Sequence, residues 1–407
     1  MAARSTFEVS TTVREVAHRA GVSAMTVSRV VNRNGRVRPE TRLKVEQAIA
    51  ALGYVPNGLA RGLTSRKTGV LGLIVPDVGN PFYAPLVLGA ERIARQSGYR
   101  VLLCNSESNL AYEGEYIADL LRQRVEGLLI APVGDESRTH LLRLERHSTP
   151  FVLIDRRVHG IDCDVVQGDG VGGARRLVDH LIALGHRRIG MIAESESVST
   201  SRDRRRGYRE ALEDAGLAVD RALLMETSVD LVGGYRAMCA LLDLEPRPTA
   251  VFAVNNLTAV GAIKAIRERG LTVPDDVALV AFDDIEQIAI LYPFLTVVPQ
   301  PAETFGTVAA QLLLERIAGR GSEYGRLVVL PSEIIVRESC GSKSSIKLHP
   351  ERSGPHPERS GPHPERSGPH PERSGPHPER SEGSTVDPSA SPQDEALTQD
   401  QAVMLET

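Results

Sequence analysis

The chain has 407 residues, room for about two to three domains and at least one large core, and 41% of them are hydrophobic while 25 are proline, a mix that points to a folded body carrying an unstructured segment. No run of about 18 apolar residues occurs and the opening MAARSTFEVSTT has no apolar signal region, which excludes a membrane-spanning helix and a secretory leader and leads us to expect a cytoplasmic protein. The net charge of -4 divides unevenly: residues 1–68 hold 12 Lys/Arg against four Glu, a head of +8 on a body of -12, the electrostatic footprint of a nucleic-acid reader.

Residues 12–32, TVREVAHRAGVSAMTVSRVVN, carry Val16, Ala17, Ala20, Val22, Val27, Val30 and Val31 at spacings that form one core. Gly21 ends a first helix and Ser23 is placed to cap a second, which is the pattern of a helix-turn-helix. A third helix starts at Pro39, buries Val45, Ala48, Ile49 and Leu52, and stops at Gly53. In such a motif the second helix enters the major groove and its first turns face base edges. Ala24 and Met25 are then apolar contacts for thymine methyls, and Arg29 is able to donate two hydrogen bonds to guanine, worth about 1–3 kcal/mol of discrimination. Ser23, Thr26, Ser28 and Asn32 have short polar groups suited to phosphates, and Thr12, at the start of the first helix, is grouped with these DNA contacts.

The next segment, PNGLARGLTSRK (56–67), has Leu59, Ala60 and Leu63 at helical spacing but glycine at 58 and 62. Each glycine costs roughly 1 kcal/mol against alanine, so this helix is not expected to stand alone. From 69 to 340 near-continuous apolar runs (70–75, 99–105, 126–132, 150–155, 188–194, 250–255, 277–284) alternate with amphipathic segments such as 90–98, 172–185 and 256–270. Strands buried on both faces and separated by helices imply parallel, doubly wound sheets. So many strands suggest two sheets with a ligand-binding cleft between lobes. From residue 349 HPERSGP repeats every seven residues with two prolines and no apolar heptad positions. This makes 341–407 a disordered low-complexity tail, read as a solvated spacer. Cys104, Cys163, Cys239 and Cys340 lie far apart without metal-ligand spacing; no disulfide, metal or cofactor is expected.

VREVAHRAGVSAMTVSRVVN and VRPETRLKVEQAIAALGYVPNGLARGL, followed in order by GLIVPDVGNPFY, RVEGLLIAP, VLIDR, LIALGHRRIGMIA, RDRRRGYREAL, AVFAVNNLTAVGAIKAIRERGLTVPDDVALVAFDD and LTVVPQP, resemble the LacI/GalR family of bacterial transcription regulators over about residues 10–340. The resemblance implies a helix-turn-helix domain (10–56), a hinge helix and linker (57–68), and an effector-binding and dimerisation body (69–340). That body is expected to be like periplasmic sugar-binding proteins, with an N-lobe of about 69–167 plus 300–330 and a C-lobe of 168–299 plus 331–340. It further implies a homodimer, a repressor on a pseudo-palindromic DNA operator. Leu63 would wedge into the minor groove with Ala60 beside it and Asn57 and Tyr54 near the backbone. A two-fold pair also follows from geometry, since one short recognition helix reads few base pairs.

Ligand contacts in open α/β sheets sit at strand C-terminal ends, where this chain has Asp155, Asn255, Asn256, Asp283 and Asp284. The resemblance assigns effector contacts to Asp155, Arg204, Asn255 and Asp283 and places Phe82 and Tyr83 in the loop after the first strand. Carboxylates, an amide, an arginine and an aromatic face suit a sugar or related polyol; a purine or another small metabolite is the alternative. Asn256 stands where the family often has aspartate, and Arg205 and Arg206 are expected to face solvent. A cytoplasmic sugar-binding receptor without a transcriptional role and an α/β enzyme are the competing functions. The first lacks an export signal and does not account for the DNA head; the second lacks GxSxG, Walker A, HExxH or a well-placed GxGxxG.

Overall fold

A computed structural model describes residues 11–31, 35–54, 68–285, 289–290 and 292–342. The chain divides into Met1–Leu348 and His349–Thr407, and the structure below is that of the first unit. Asn32, Asn57, Ala60 and Leu63, the hinge helix, and all but the first two residues of the 341–407 tail lie outside the described residues.

The head is three helices, α1 (Val13–Ala20), α2 (Ala24–Val31) and α3 (Pro39–Leu52). Thr12 and Glu15 form a capping box on α1, Thr12 Oγ1 accepting from Glu15 N at 3.4 Å and Glu15 Oε2 from Thr12 N at 2.7 Å. Gly21 closes α1 in the left-handed region at φ 65°, and Ser23 Oγ accepts from Thr26 N at 3.2 Å to open α2. Val16, Val27 and Val45, one from each helix, are fully buried. Tyr54 joins them, 9% exposed, because the chain reverses at Gly53 and Tyr54 N donates to Ile49 O at 3.1 Å. This Schellman-type closure folds the residue after the glycine back onto the last turn. Tyr54, expected near the DNA backbone, packs against the core of the head.

The body has two parallel sheets. Sheet 1 runs in the order β11-β5-β4-β3-β1-β2, with β1 Val70–Val75, β2 Arg100–Asn105, β3 Gly127–Ile130, β4 Phe151–Ile154, β5 Asp164–Gly168 and β11 Leu327–Leu330. Sheet 2 runs β10-β9-β8-β6-β7, with β6 Ile189–Ala193, β7 Leu224–Glu226, β8 Ala250–Ala253, β9 Ala278–Phe282 and β10 Thr296–Val298. The covering helices are α4 (Tyr83–Gln96), α5 (Leu110–Arg122), α6 (Arg138–Arg146) and α11 (Ala302–Ile317) on the N-lobe. On the C-lobe they are α7 (Gly170–Ala183), α8 (Ser199–Asp214), α9 (Leu231–Leu242) and α10 (Asn256–Glu268). The seven anticipated runs are all strands; β5, β7, β10 and β11 are additional.

The chain passes between lobes after β5, after β10 and after β11, where Ile335 bridges back to Val297. Two separate sheets wired by three crossovers place the C-terminal ends of both sets of strands at one cleft. In the N-lobe, α4 and α11 touch backbone to backbone: a Cβ on Gly306 would lie 1.9 Å from Leu86 O, so only glycine permits that approach. Among the described residues no helix is long and apolar enough to cross a membrane.

Candidate functional site

Two surfaces carry the expected site residues. On the head, Ser23, Ala24, Met25 and Arg29 are exposed at the start of α2, with Thr26 and Ser28 half-buried beside them. Met25 is 64% exposed, so it is not a core filler, and Arg29 Nη2 lies 3.9 Å from its Sδ. The first turn of α2 holds no acidic residue, leaving its N-terminal N–H groups and dipole unopposed for a phosphate. Thr12 is exposed but its hydroxyl already donates to Glu15 Oε2 at 3.2 Å.

In the body, loops after β1 and β4 meet loops after β6, β8 and β9 around a narrow polar cavity with about 30 Å³ of free space. Asp155 follows β4 at φ 66° and Asp283 follows β9 at φ 61°. The left-handed region is one that aspartate and asparagine enter more readily than other side-chain-bearing residues, and such strain clusters at functional sites. Both carboxylates line the cavity and are 6% exposed. Tyr83 Oη donates to Asp155 Oδ2 at 3.4 Å and Gln300 Nε2 to Asp283 Oδ1 at 2.7 Å. Burial pushes both carboxyls above the usual range, against the pull of Arg156 and Arg204 on Asp155 and of Arg204 on Asp283. Burial likewise raises the Tyr83 phenol well above its ordinary value.

Arg204, on α8, donates from Nη1 to Val254 O at 2.7 Å, lies 4.1 Å over the Phe282 ring and 4.0 Å from Asp283 Oδ2. Phe82 packs edge-on against Tyr83 and Phe305 at 5.1 and 5.8 Å, an apolar floor to the same cavity. Asn255 lines it too, but its Oδ1 is committed to capping α10, accepting from Thr258 N at 2.9 Å, and its Nδ2 donates to Val229 O at 3.1 Å. Asn256 is fully buried and donates from Nδ2 to Asn80 Oδ1 at 3.3 Å, a bond between lobes. The departure from aspartate at 256 thus supplies the N–H that this bond requires.

Arg156 and Glu194 were not foreseen as cavity residues. Arg156 is 6% exposed, donates to Pro132 O and Val133 O at 3.3 and 3.0 Å, and reaches Glu194 Oε2 at 3.3 Å. Burial alone lowers a guanidinium pKa; Glu194, Tyr83 and Asp155 raise this one beyond its ordinary value. The only signal in the sequence is a second charge following Asp155 in an apolar stretch. Arg205 is also corrected: it is 9% exposed and donates to Glu194 O at 2.6 Å and Glu226 Oε2 at 2.8 Å, because its turn of α8 faces β6 and β7. Arg206, pairing with Glu210 on the outside, is exposed as expected.

Three buried polar atoms around the cavity have no hydrogen-bond partner, Asp155 Oδ1, Arg156 Nε and Arg204 Nε, although Arg156 Nε lies 3.8 Å from Asp155 Oδ2 as an ion pair. Each costs roughly 1–3 kcal/mol unless something fills it. The lobes are latched over it by Arg157, which grips Asp203 at 2.5 and 2.7 Å, and by Arg202 on Asp135 at 2.7 Å. Among the described residues no three His, Cys, Asp or Glu side chains gather as a metal site.

Comparison with known proteins shows the family. Residues 12–57 match the model described as bacterial regulatory proteins, lacI family, and residues 178–340 the periplasmic binding protein-like domain. The HTH-type transcriptional regulator DegA of Bacillus subtilis (strain 168) is 35% identical over 338 residues, 81% of this chain and 98% of DegA. The ribose operon repressor of Escherichia coli (strain K12) is 34% identical over 79% of this chain and 97% of its own length. A crystal structure of the lac repressor dimer bound to operator and the anti-inducer ONPF superposes with a TM-score of 0.71 at 29% identity, covering 82% of this chain and 99% of that one. With a helix-turn-helix head, a two-lobed body closed on a polar cavity, and regulators rather than enzymes as its named relatives, the chain belongs to the lacI family of bacterial regulatory proteins, DNA-binding transcription regulators.

Proposed function

We propose that the protein is a dimeric repressor acting in the cytoplasm, whose operator affinity is set by a small polyhydroxylated effector, a sugar or sugar derivative, closed between the lobes. The observation that carries the effector reading is the convergence of the unpartnered Asp155 Oδ1, Arg156 Nε and Arg204 Nε on one cavity. One acceptor and two donors on facing walls are what a ring of hydroxyls satisfies, since each hydroxyl both gives and takes a hydrogen bond. Three carboxylates, Asp155, Glu194 and Asp283, face two guanidinium groups, which disfavours an anionic ligand, and Phe82 offers a ring to an apolar sugar face. The resemblance to a ribose operon repressor leans the same way.

In this reading Asp155, Asp283, Arg156 and Arg204 hold the effector, while Asn255 and Tyr83 position its walls. On DNA, Arg29, Ala24 and Met25 read base edges, Ser23, Thr26 and Ser28 bond phosphates, and Thr12 holds the start of α1 in place. Segment 57–68, with Leu63, meets the operator as the hinge. A second copy covers apolar side chains that one copy leaves exposed, Leu88, Leu102 and Leu103 on the N-lobe and Leu231 and Val232 on the C-lobe. Effector binding shifts the angle between lobes, and operator affinity changes by linkage. Thermal unfolding of the full chain against a panel of mono- and disaccharides and purines tests the reading. One sugar should raise the transition, by about 2.7 kcal/mol at a hundredfold excess over Kd. A purine alone doing so would reassign the effector, and turnover of any panel compound would revive an enzymatic role.

A further inference from the structure

The end of the N-lobe opposite the cavity carries a second concave surface, a shallow groove of about 760 Å³ where the C-terminal ends of α5, α6 and α11 surround the starts of β3 and β4. Arg122, Arg124, Arg143 and His147 line it. Elsewhere in this acidic body arginines are mostly neutralised, as Arg92, Arg156, Arg157, Arg316 and Arg326 are. Here Arg122 pairs with Asp119, but Arg124, Arg143 and His147 have no carboxylate partner among the described residues, nor do Arg100 and Arg146 at the same end. Glu126, the one acid in the groove, is already satisfied by Gly69 N at 2.7 Å and Tyr99 Oη at 3.1 Å. The C-terminal dipoles of the helices make the site hospitable to cations, yet they do not account for a cluster left without counterions.

A backbone feature singles out the same spot. Where α4, α7, α8, α10 and α11 end, the left-handed residue is glycine: 98, 185, 216, 270 and 319. At the end of α5 it is Arg124, φ 56°, and after α6 it is Ser148, φ 52°, beside His147. A bulky residue in this conformation is disfavoured by roughly 1 kcal/mol or more relative to glycine, so the fold accepts strain to keep an arginine here. The groove also adjoins the point where the chain arrives from the head: Thr68 Oγ1 donates to Arg124 O at 2.9 Å. Only the 13 residues 55–67 separate it from the last head residue described, a span of at most roughly 50 Å.

We propose that this groove is a second DNA-contacting surface, taking the phosphate backbone that flanks the sequence read by the head. It rests on the reading of the protein as a DNA-binding regulator and adds a sequence-independent contact from the body. The contact would raise affinity and steepen its salt dependence without changing base preference.

The test uses the full chain and two duplexes. One is the tightest site recovered from a random-sequence pool, trimmed to its base-specific core; the other is the same site extended by about one helical turn, roughly 10 bp, on each side. The wild-type protein should bind the extended duplex more tightly, with a plot of log affinity against log salt steeper by about 0.9 for each added phosphate contact. Combined Arg124→Gly, Arg143→Ala and His147→Ala substitution should abolish that difference, flattening the slope on the extended duplex by about 4 to 5, for two to three contacts from each protomer of the dimer, while leaving affinity for the core duplex unchanged. Arg124→Gly relieves the backbone strain, and unchanged effector binding would show the body intact. Equal wild-type affinity and slope on both duplexes would overturn the proposal while leaving the regulator reading standing. So would a variant that loses equally on both, which would point to a protein partner or a folding defect instead. If no duplex is recovered from the pool, the regulator reading itself fails and this inference falls with it.

Discussion

Replacing Asp155 by asparagine isolates the central contact of the cavity. Asparagine has nearly the same shape and, like aspartate, enters the left-handed region readily, so the φ of 66° after β4 is kept. What is lost is the charge. A hydrogen bond to a charged group contributes about 1.5–3 kcal/mol and a neutral one about 1, so effector affinity should fall by roughly 1–2 kcal/mol, or about 5- to 30-fold in Kd. Asp155→Ala also removes the remaining acceptor and forces alanine into the left-handed region, so a loss of about a hundredfold or more is expected.

Calorimetric titration of the effector into each variant gives Kd, and far-ultraviolet dichroism melts show whether the body is intact. Because burial raises the Asp155 carboxyl above its ordinary range, wild-type affinity should fall as the pH drops through that raised value, where the carboxylate takes up a proton. The Asp155→Asn protein should lack this dependence, apart from the share contributed by Asp283. Wild-type affinity in an intact Asp155→Asn protein would mean that Asp155 does not touch the effector, and the reasoning from its unpartnered Oδ1 would be refuted.

The other expectations concern stability and DNA. Fully buried Asp164 is held by Arg316 Nε at 2.7 Å and Arg326 Nη2 at 2.9 Å. Burial alone would raise its carboxyl, but the hydrogen bonds from both arginines prevail and hold it far below the usual range. Asp164→Asn should cost about 3 kcal/mol in denaturant unfolding, the low end for breaking a buried pair because the arginines keep partial exposure. The folded carboxyl pKa is depressed, so this stabilisation is fully present above the unfolded value of about 3.9 and is lost as pH falls toward the folded one. The gap between wild type and variant should therefore narrow in acid, and a gap constant down to pH 2 would contradict the account. Arg29→Ala should relax base preference at one position of each half-site, by about 1–3 kcal/mol, in a binding-site selection; an unchanged selected sequence would remove Arg29 from the readout. Leu63→Ala should weaken specific but not non-specific DNA binding, and equal loss in both, measured by competition, would reduce segment 57–68 to a plain linker.

The fold was legible where burial is symmetrical. VLGLIV, GLLI, FVLI, AVFA and ALVAF are covered on both faces, and their unbroken apolar runs announce it. DVVQG, LME, TVV and LVVL are short or interrupted: β7, β10 and β11 are edge strands, and β5 begins with an aspartate buried only because two arginines reach it from over 150 residues away. Asp155 and Asp283 could be found from their place at strand ends and from family resemblance. Glu194 and Asn80 could not, since only the three crossovers bring those stretches to one cavity, and Arg156 was signalled only by its place beside Asp155. The packing of Tyr54 into the head core was not legible either, because it depends on the turn at Gly53 that draws the residue back onto α3. Arg205 misled because three consecutive arginines in RRR read as a solvated face, yet successive helical positions point some 100° apart and one of them faces the sheet.

The most direct test of the whole account is a footprint of the full-length protein across the genome it came from, repeated with and without the sugar that raises its thermal transition. We expect discrete two-fold symmetric sites, lost as salt rises, with affinity changed by about 5- to 150-fold on saturation with the effector. Absence of any sequence-specific site, or sites indifferent to an effector shown to occupy the cavity between Asp155 and Arg204, would contradict it.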